Sequence, residues 1–260
     1  MNMDIGKVGI WFFLDAMPAP DTVAFAKQVE KAGYNALWIP EAVGREPFAH
    51  AAHLLSHTNR LTIATGIANI WARDAITMAA ASNTVAEQSG GRFLLGIGVS
   101  HKPLVTNLRG HSYDKPYSFM KEYLPKMKGA LYVAPKPKEP VKVVLAALHP
   151  KMLALSASEA NGTHTYFVPP EHTAKARALI GPNAMLCAAQ AKLEYVIRVQ
   201  VIQDAAADDD VERAVAGKRD VANVALLKRH PYTLRCGCDI YCLASSSSNS
   251  ECSRLALSRE

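Results

Sequence analysis

The sequence predicts an α/β protein, a (β/α)8 TIM barrel whose C-terminal strand and helix region is atypical or incomplete. Three observations support this prediction. Short apolar runs alternate with helical segments, no hairpin signal separates the runs, and 260 residues is an ordinary length for one such barrel. No Gly-rich dinucleotide-binding turn follows the first run, which favours a barrel over an open doubly wound sheet.

The apolar runs predict seven strands. They span 8–13, 36–41, 61–65, 93–99, 141–148, 163–168 and 184–193. Helices between them begin at capping or proline signals and stop at glycines; the start signals are Asp21, Pro47 and Asp74, and the stop signals Gly33, Gly90 and Gly162. Further helices are predicted over 117–132 and 171–181, and a long polar loop over 102–116.

The alternation of strands and helices ends near residue 198, and no clean eighth strand follows. We therefore expect a barrel domain over 1–198 and an atypical, weakly ordered C-terminal region over 199–260. That region holds Cys236, Cys238 and Cys242 close to His230. Their spacing matches no usual structural zinc pattern, so no metal site is predicted.

Composition bounds the function. The formal net charge is +6 and the pI is near 9.0, but the basic residues are scattered, which favours a solvated surface over a nucleic-acid interface. The excess of positive charge could also attract an anionic cofactor or substrate. The sequence contains no run of 18 apolar residues, so no membrane span is predicted. The N-terminus lacks the features of a signal peptide. A cytoplasmic protein is expected.

Two polar or small clusters follow neighbouring predicted strands. The first is Gly66, Ile67, Ala68 and Asn69, and the second is Gly98, Val99, Ser100 and His101. In a parallel sheet, both clusters lie at the carboxyl edge, where ligands bind in α/β proteins. We expect the functional site at that edge.

Five motifs together resemble the luciferase-like monooxygenase superfamily, and within it the branch predicted to use the deazaflavin coenzyme F-420. They are LWIPEAVGRE at 37–46, TGIANIWARD at 65–74, GRFLLGIGVSH at 91–101, LRGHSYDKP at 108–116 and YFVPPEHTAKAR at 166–177. The resemblance covers about residues 5–193. It implies a TIM barrel with flavin or deazaflavin across the C-terminal strand ends, and two-electron redox chemistry on an organic substrate. Beyond residue 193 the sequence departs from the family pattern.

The resemblance suggests roles for residues at the carboxyl edge. Glu41 would face the cofactor ring and orient the substrate or bond the ring; the alternative is a capping or surface acid. The segment 66–69 would form a bulge, sometimes with a cis peptide, against the back of the ring; the alternative is an ordinary turn. His101 is the candidate proton donor because histidine has an intrinsic pKa near ~6.5. A surface histidine is about as plausible.

Further residues are candidates for phosphate binding. His149, Pro150, Lys151 and Met152 open the helix after the fifth strand, where free N–H groups and the lysine would bind the cofactor's phosphate. The alternative is simple helix capping. His149 stands where relatives commonly have glycine, which would crowd that approach.

Two other groups of residues are candidates for a substrate lid and for a metal site. The loop 102–116 is a candidate lid over the substrate, with the polar residues Arg109, His111, Tyr113 and Lys115. His50, His53 and His57 share a helix face that could be a metal site, but we favour a position at the solvent edge.

The predicted function is hydride transfer between coenzyme F-420 and an organic substrate, with His101 and Glu41 as catalytic candidates. Two alternatives stay open: an FMN-dependent monooxygenase that uses molecular oxygen, and a non-catalytic flavin-binding or vestigial barrel. The missing eighth strand motivates the latter, because an open sheet edge invites dimerisation or aggregation. The expected partner is a small-molecule substrate, with no nucleic acid and no membrane, and a homodimer is left open.

Overall fold

The computed structural model describes residues 3–192 and 196–202. Nine strands lie in this part of the chain: β1 (Val8–Trp11), β2 (Ala36–Ile39), β3 (Thr62–Thr65), β4 (Ala68–Asn69), β5 (Phe93–Gly98), β6 (Val143–Ala146), β7 (Gly162–Tyr166), β8 (Met185–Lys192) and β9 (Val196–Ile202). Six α-helices accompany them: α1 (Ala19–Lys31), α2 (Pro47–Ser56), α3 (Ala75–Gln88), α4 (Pro116–Lys128), α5 (Pro150–Glu159) and α6 (Pro170–Ile180).

The strands form one barrel. Strands β1, β2, β3, β5, β6, β7 and β8 pair in that order and are parallel. Strand β9 is antiparallel and pairs with β8 on one side and β1 on the other. The two-residue strand β4 runs beside the end of β5. The predicted TIM barrel is confirmed, with an antiparallel strand in the eighth position.

The expectation that no clean eighth strand follows about residue 198 was wrong. Strand β9 crosses that residue and joins β8 as a hairpin. Its sequence, VIRVQVI, alternates apolar and polar residues as strands do. The edges of β1 and β8 both need a partner, and an antiparallel strand satisfies both. The division of the chain at residue 198 stays a prediction, because residues 203–260 lie outside the described part.

The predicted starts of helices α2 and α3 are confirmed. Asp74 accepts the backbone N–H groups of Ile76 and Thr77 at 2.9 Å, and Glu46 accepts that of Ala49 at 2.7 Å. The predicted cap at Asp21 was wrong. Helix α1 already begins at Ala19, because a proline in the first turn needs no N–H partner, and this places Asp21 inside that turn.

The segment 102–116 is more ordered than the predicted loop. A π-helix spans Leu104–Leu108, and its Val105 is buried. Its first turn is tied to the end of the preceding strand, because the Val105 N–H donates to the carbonyl of His101 at 3.1 Å.

Apolar side chains fill two layers. The larger one lies between the sheet and the helices and includes Phe25, Leu54, Met78 and Met120. The smaller one fills the inside of the barrel and includes Trp11, Trp38, Leu94, Val144 and Cys187. Because successive strand residues alternate between the two layers, Trp11 at the end of β1 points into the barrel at its carboxyl end. That end carries the candidate site.

Candidate functional site

The carboxyl ends of the parallel strands bring the predicted segments to one edge of the barrel. Segment 66–69 follows β3, segment 98–101 follows β5, segment 149–152 follows β6, and Glu41 follows β2. The first two segments are joined directly, because Asn69 of β4 pairs with Gly98 of β5. The positions are those that a parallel barrel requires. The binding and catalytic roles of these residues stay predictions.

The segment after β3 has an unusual backbone. The peptide bond between Gly66 and Ile67 is cis. The indole N–H of Trp11 donates to the Gly66 carbonyl oxygen at 2.9 Å. A Cβ atom on residue 66 would lie only 2.7 Å from Nε1 of Trp11, so only glycine fits against the indole. The segment therefore turns over the inner aromatic layer of the barrel.

Gly98, at the end of β5, packs against Ile67 of the same segment. A Cβ there would lie 2.9 Å from the side chain of Ile67 and 2.8 Å from Cβ of Ala146. The space left by the missing side chain is therefore occupied by Ile67 and Ala146. In this way Gly66 and Gly98 together fix where Ile67 lies.

The end of the segment after β5 turns sharply. Ser100 has a left-handed backbone with φ of 56°. The carbonyl of Ser100 accepts the hydroxyl of Tyr113 at 3.2 Å, and the carbonyl of Val99 accepts the indole N–H of Trp71 at 3.0 Å. Burial raises the pKa of the Tyr113 hydroxyl. The next residue, His101, is exposed.

Helix α5 begins at this edge with His149 as its N-cap residue. Its carbonyl accepts the N–H groups of Met152 and Leu153, each at 3.0 Å. The His149 side chain makes no capping hydrogen bond, and both it and Lys151 are exposed. Pro150 has no N–H and those of Met152 and Leu153 are bonded, so the first turn of α5 leaves the backbone N–H of Lys151 for a ligand. This end of α5 can therefore bind an anion next to an exposed ammonium group.

Glu41 is the most strongly engaged carboxylate of the site. Its side chain is 5% exposed and forms ion pairs with Arg73 at 2.8 Å and Arg109 at 3.2 Å. It also accepts the backbone N–H of Asn69 at 2.7 Å. Arg73 reaches a second carboxylate, Glu46, at 3.3 Å. Arg73 was not among the predicted site residues, although its motif, WARD, lies close after the segment 66–69.

An aromatic cluster, which the sequence analysis also missed, borders the mouth of the barrel. Trp11 contacts Phe13 with ring centroids 4.9 Å apart and Tyr166 at 5.3 Å. Phe167, partly exposed at the rim, packs edge-on against Tyr166 at 4.4 Å. These residues end strands that are far apart in sequence, so only the closed barrel brings them together. The cluster can offer an apolar surface to a flat ligand.

The segment 102–116 packs against this edge through aromatic contacts. Trp71 stacks on Phe119 of α4 with centroids 4.2 Å apart and lies 5.6 Å from Tyr113. Arg109 donates to the carbonyl of Ala42 at 3.4 Å as well as to Glu41. The segment is thus attached at the rim at two places. A lid function for it stays a prediction.

His50, His53 and His57 were expected at the solvent edge, but one of these histidines of α2 and its C-cap is not there. His50 is buried, and burial together with the nearby Arg45 and His53 lowers its pKa to about 4. The ring of His53 packs on that of His57 at 4.6 Å. Within residues 3–192 no group of three or more histidine, cysteine or acidic side chains is arranged to hold a metal ion. The cysteines at 236–242 lie outside the described residues.

Comparison with known proteins gives the family. The profile of the luciferase-like monooxygenases matches residues 8–233. The chain belongs to the luciferase-like monooxygenase family. The family assignment made from the five motifs is therefore confirmed.

Two relatives are similar over part of the chain. One is a protein of Mycobacterium tuberculosis provisionally named a coenzyme F-420-dependent oxidoreductase, 30% identical over 47% of this chain and 35% of its own length. The other is the 5,10-methylenetetrahydromethanopterin reductase of Methanolobus tindarius, 28% identical over 46% of this chain and 36% of its own length. The alignments thus span about a third of the length of these curated relatives.

Solved structures share the fold at low identity. An F-420-dependent secondary alcohol dehydrogenase, bound to an F-420–acetone adduct, superposes with a TM-score of 0.62 at 15% identity, over 70% of this chain and 68% of that one. The FMN-bound oxygenating constituent of 3,6-diketocamphane monooxygenase from Pseudomonas putida superposes with a TM-score of 0.54 at 12% identity, over 66% of this chain and 61% of that one. Proteins that bind either cofactor therefore share this fold. None of the described helices is long and apolar enough to cross a membrane.

Proposed function

We propose that this chain is an oxidoreductase that transfers a hydride between coenzyme F-420 and a small organic substrate. The observation that carries the proposal is the surface at Ile67. The half-buried side chain of Ile67 packs beside Gly98, and Trp11 holds the peptide before it through the Gly66 carbonyl. A flat ring needs an apolar support of this kind, held rigidly so that the ring and substrate stay in register.

The residues of the edge fit a deazaflavin in two respects. Ile67 and the aromatic cluster would contact the flat ring. The backbone N–H and the ammonium group of Lys151, at the start of α5, would bind the phosphate, because a helix N-terminus and an ammonium both favour an anion. The exposed His149 flanks that turn. When bound, the deazaflavin supplies the ring carbon that carries the hydride.

The protein's own chemical task is to hold the two reactants and move a proton. His101 is the proposed proton donor, through a ring nitrogen, to the substrate oxygen that gains charge when a carbonyl is reduced. Two observations support this proposal: His101 is exposed, and it directly follows the left-handed residue Ser100 after the end of β5. The segment 102–116 would cover the substrate and exclude water from it.

The two alternative functions predict different binding. An FMN-dependent monooxygenase would have the same barrel and would bind FMN in place of F-420. A non-catalytic barrel was motivated by a missing eighth strand, and strand β9 removes that motive. A homodimer remains a prediction.

A binding titration tests the proposal. The protein is titrated separately with oxidised F-420 and with FMN, and the cofactor fluorescence is followed. We expect saturable binding of F-420 and weaker or undetected binding of FMN. FMN binding alone would replace the proposal with the monooxygenase, and binding of neither would refute it.

A matched pair of variants locates the phosphate. Lys151→Met should weaken F-420 binding by about 1 kcal/mol, because it removes one charge beside the helix terminus. Lys175→Met, on the exposed face of α6, is the control and should leave binding unchanged. Equal effects of the two variants would contradict a phosphate site at α5.

A further inference from the structure

The Glu41 carboxylate has no acceptor position left for a ligand. Its Oε2 accepts the N–H of Asn69 at 2.7 Å and Nη1 of Arg73 at 2.8 Å. Its Oε1 accepts Nη2 of Arg73 at 3.0 Å and Nη2 of Arg109 at 3.2 Å. A carboxylate offers about four lone-pair positions, and four donors occupy them here. Direct bonding to a substrate or a cofactor ring would require one of these bonds to break.

Glu41 and Arg73 together bind both the backbone N–H and the backbone carbonyl of Asn69. While Glu41 accepts the N–H of Asn69, Arg73 donates to the carbonyl of Asn69 at 3.2 Å. Asn69 is buried, and it lies two positions after Ile67, in the strand that pairs with Gly98. A two-residue strand has few ladder bonds of its own, so these side-chain bonds carry much of its attachment.

The Glu41–Arg73 pair is in turn held by helix α4, which bonds the backbone of Arg73. The one hydroxyl proton of Tyr123 on α4 is shared between the carbonyls of Arg73 at 3.0 Å and Asp74 at 3.1 Å. Arg73 is bidentate on Glu41, the geometry that fixes two planar groups most firmly. The order of attachment therefore runs from α4 through Arg73 and Glu41 to Asn69.

We propose that Glu41 and Arg73 are a positioning pair, which holds Asn69 and thereby sets the place of Ile67 against the cofactor. This inference rests on the proposed function for its cofactor, and it assigns Glu41 a role different from the catalytic one expected from the sequence. Arg109 joins the pair at its exposed side and is not needed to hold Asn69.

Hydrogen exchange on the cofactor-free protein tests the anchoring. We compare the wild type with Glu41→Gln, Arg73→Lys and Arg109→Gln, and measure exchange of the amides of residues 66–70 together with the melting temperature. Glu41→Gln should speed exchange of the Asn69 amide by about tenfold or more, since its bond is weakened and the arginine loses its charged partner. Arg73→Lys keeps the charge but loses the planar fork, so exchange should rise by a smaller factor.

Arg109→Gln is the matched control and should change Asn69 exchange by less than about twofold, because both Asn69 contacts remain. If Glu41→Gln fails to fold, Arg73→Lys still decides the question. Unchanged Asn69 exchange in folded Glu41→Gln and Arg73→Lys would overturn the anchoring.

A kinetic readout separates positioning from catalysis. Glu41→Gln should raise the Kd for F-420 by about tenfold to a hundredfold, as expected when a ring support shifts, and leave the pH profile of kcat at saturating cofactor unchanged. A lost limb of that profile with unchanged Kd would make Glu41 a catalytic acid or base and overturn the proposal. If the wild type binds neither cofactor, the proposed function fails, while the exchange data still decide whether the pair anchors Ile67.

Discussion

The indole N–H of Trp11 and the carbonyl oxygen of Gly66 are joined by a 2.9 Å hydrogen bond inside the barrel mouth. The contact is tight, since a Cβ on residue 66 would lie 2.7 Å from Nε1 and 2.9 Å from Cδ1 of the indole. Gly66→Ala should therefore lower the free energy of unfolding by about 1–3 kcal/mol, the usual cost of overpacking. It should also weaken cofactor binding, because Ile67 must shift.

A double-mutant cycle with Trp11→Phe measures this contact. Trp11→Phe removes the part of the indole that a methyl group would meet, so Gly66→Ala should cost less in that background. We expect a coupling of about 1 kcal/mol or more from urea unfolding of the four proteins. Additive effects would show that the indole is not what excludes a side chain at residue 66.

His164 should make the protein less stable in acid. Its ring is fully buried, stacks on Trp38 at 4.8 Å, and is held by the carbonyl of Cys187 at 2.9 Å. Burial lowers its pKa from 6.5 to about 4, against a smaller opposing effect of that hydrogen bond. The unfolded chain therefore binds a proton below about pH 6.5 that the folded protein does not bind until about pH 4. Stability is fully present above pH 6.5 and falls between pH 6.5 and 4, by roughly 2–3 kcal/mol for this group.

Urea unfolding at several pH values checks the acid effect. His164→Asn keeps a donor for the Cys187 carbonyl but does not titrate, so its stability should fall less steeply over the same interval. His50, whose pKa is also lowered to about 4, contributes in the same direction. His164→Asn combined with His50→Gln should therefore flatten the curve further. An unchanged slope in the double variant would rule out these two histidines as its cause.

Strand β9 should be essential for stability. Val199 pairs with Gly9 of β1 and with Ala189 of β8, so it lies in the interior of the sheet. Val199→Pro removes a ladder N–H and introduces the proline ring, which should cost about 3 kcal/mol or more. Val199→Thr keeps the β-branched shape and the N–H and serves as the control. Thermal melts compare the two, and similar melting temperatures would contradict closure of the barrel by β9.

Arg92 should affect stability without affecting the site. It precedes β5, at the amino end of the barrel, and donates to the carbonyls of Leu55 at 2.8 Å, Leu61 at 3.1 Å and Ser89 at 3.1 Å. Arg92→Met should lower the free energy of unfolding by about 2 kcal/mol, because these carbonyls lose their donor. Cofactor affinity should stay as in the wild type, since the proposed binding site lies at the opposite end.

Lys121→Met, on an exposed face of α4, is the control for Arg92→Met and should change stability by less than about 0.5 kcal/mol. A loss of cofactor affinity in Arg92→Met at a temperature where it is folded would contradict the separation of the two ends.

Local signals predicted the elements that carry the site. The apolar runs gave the seven parallel strands because buried strands need continuous apolar residues, and Asp74 gave the start of α3 because its carboxylate can accept N–H groups locally. The clusters after β3 and β5 were correctly placed at one edge, since parallel strands share a direction. Asp21 misled the prediction because a proline earlier in the chain can begin a helix without any cap.

The contacts within the site were not predictable from local pattern. Trp11 and Gly66 lie 55 positions apart, and Glu41 and Arg109 lie 68 apart. Neither pair has a spacing that periodicity could reveal. Arg73 stands next to the capping Asp74 in the sequence, and no local pattern indicates that its side chain is largely buried against Glu41.

By itself, the sequence determined the barrel class, the order of its parallel strands and the edge at which polar segments gather, because these follow from hydrophobic period and strand direction. The tertiary structure alone decided how the eighth position is filled, which side chains meet Gly66 and Gly98, and that Glu41 is enclosed by two arginines. Those features depend on the distance between strand ends after closure, and residue spacing along the chain does not specify that distance.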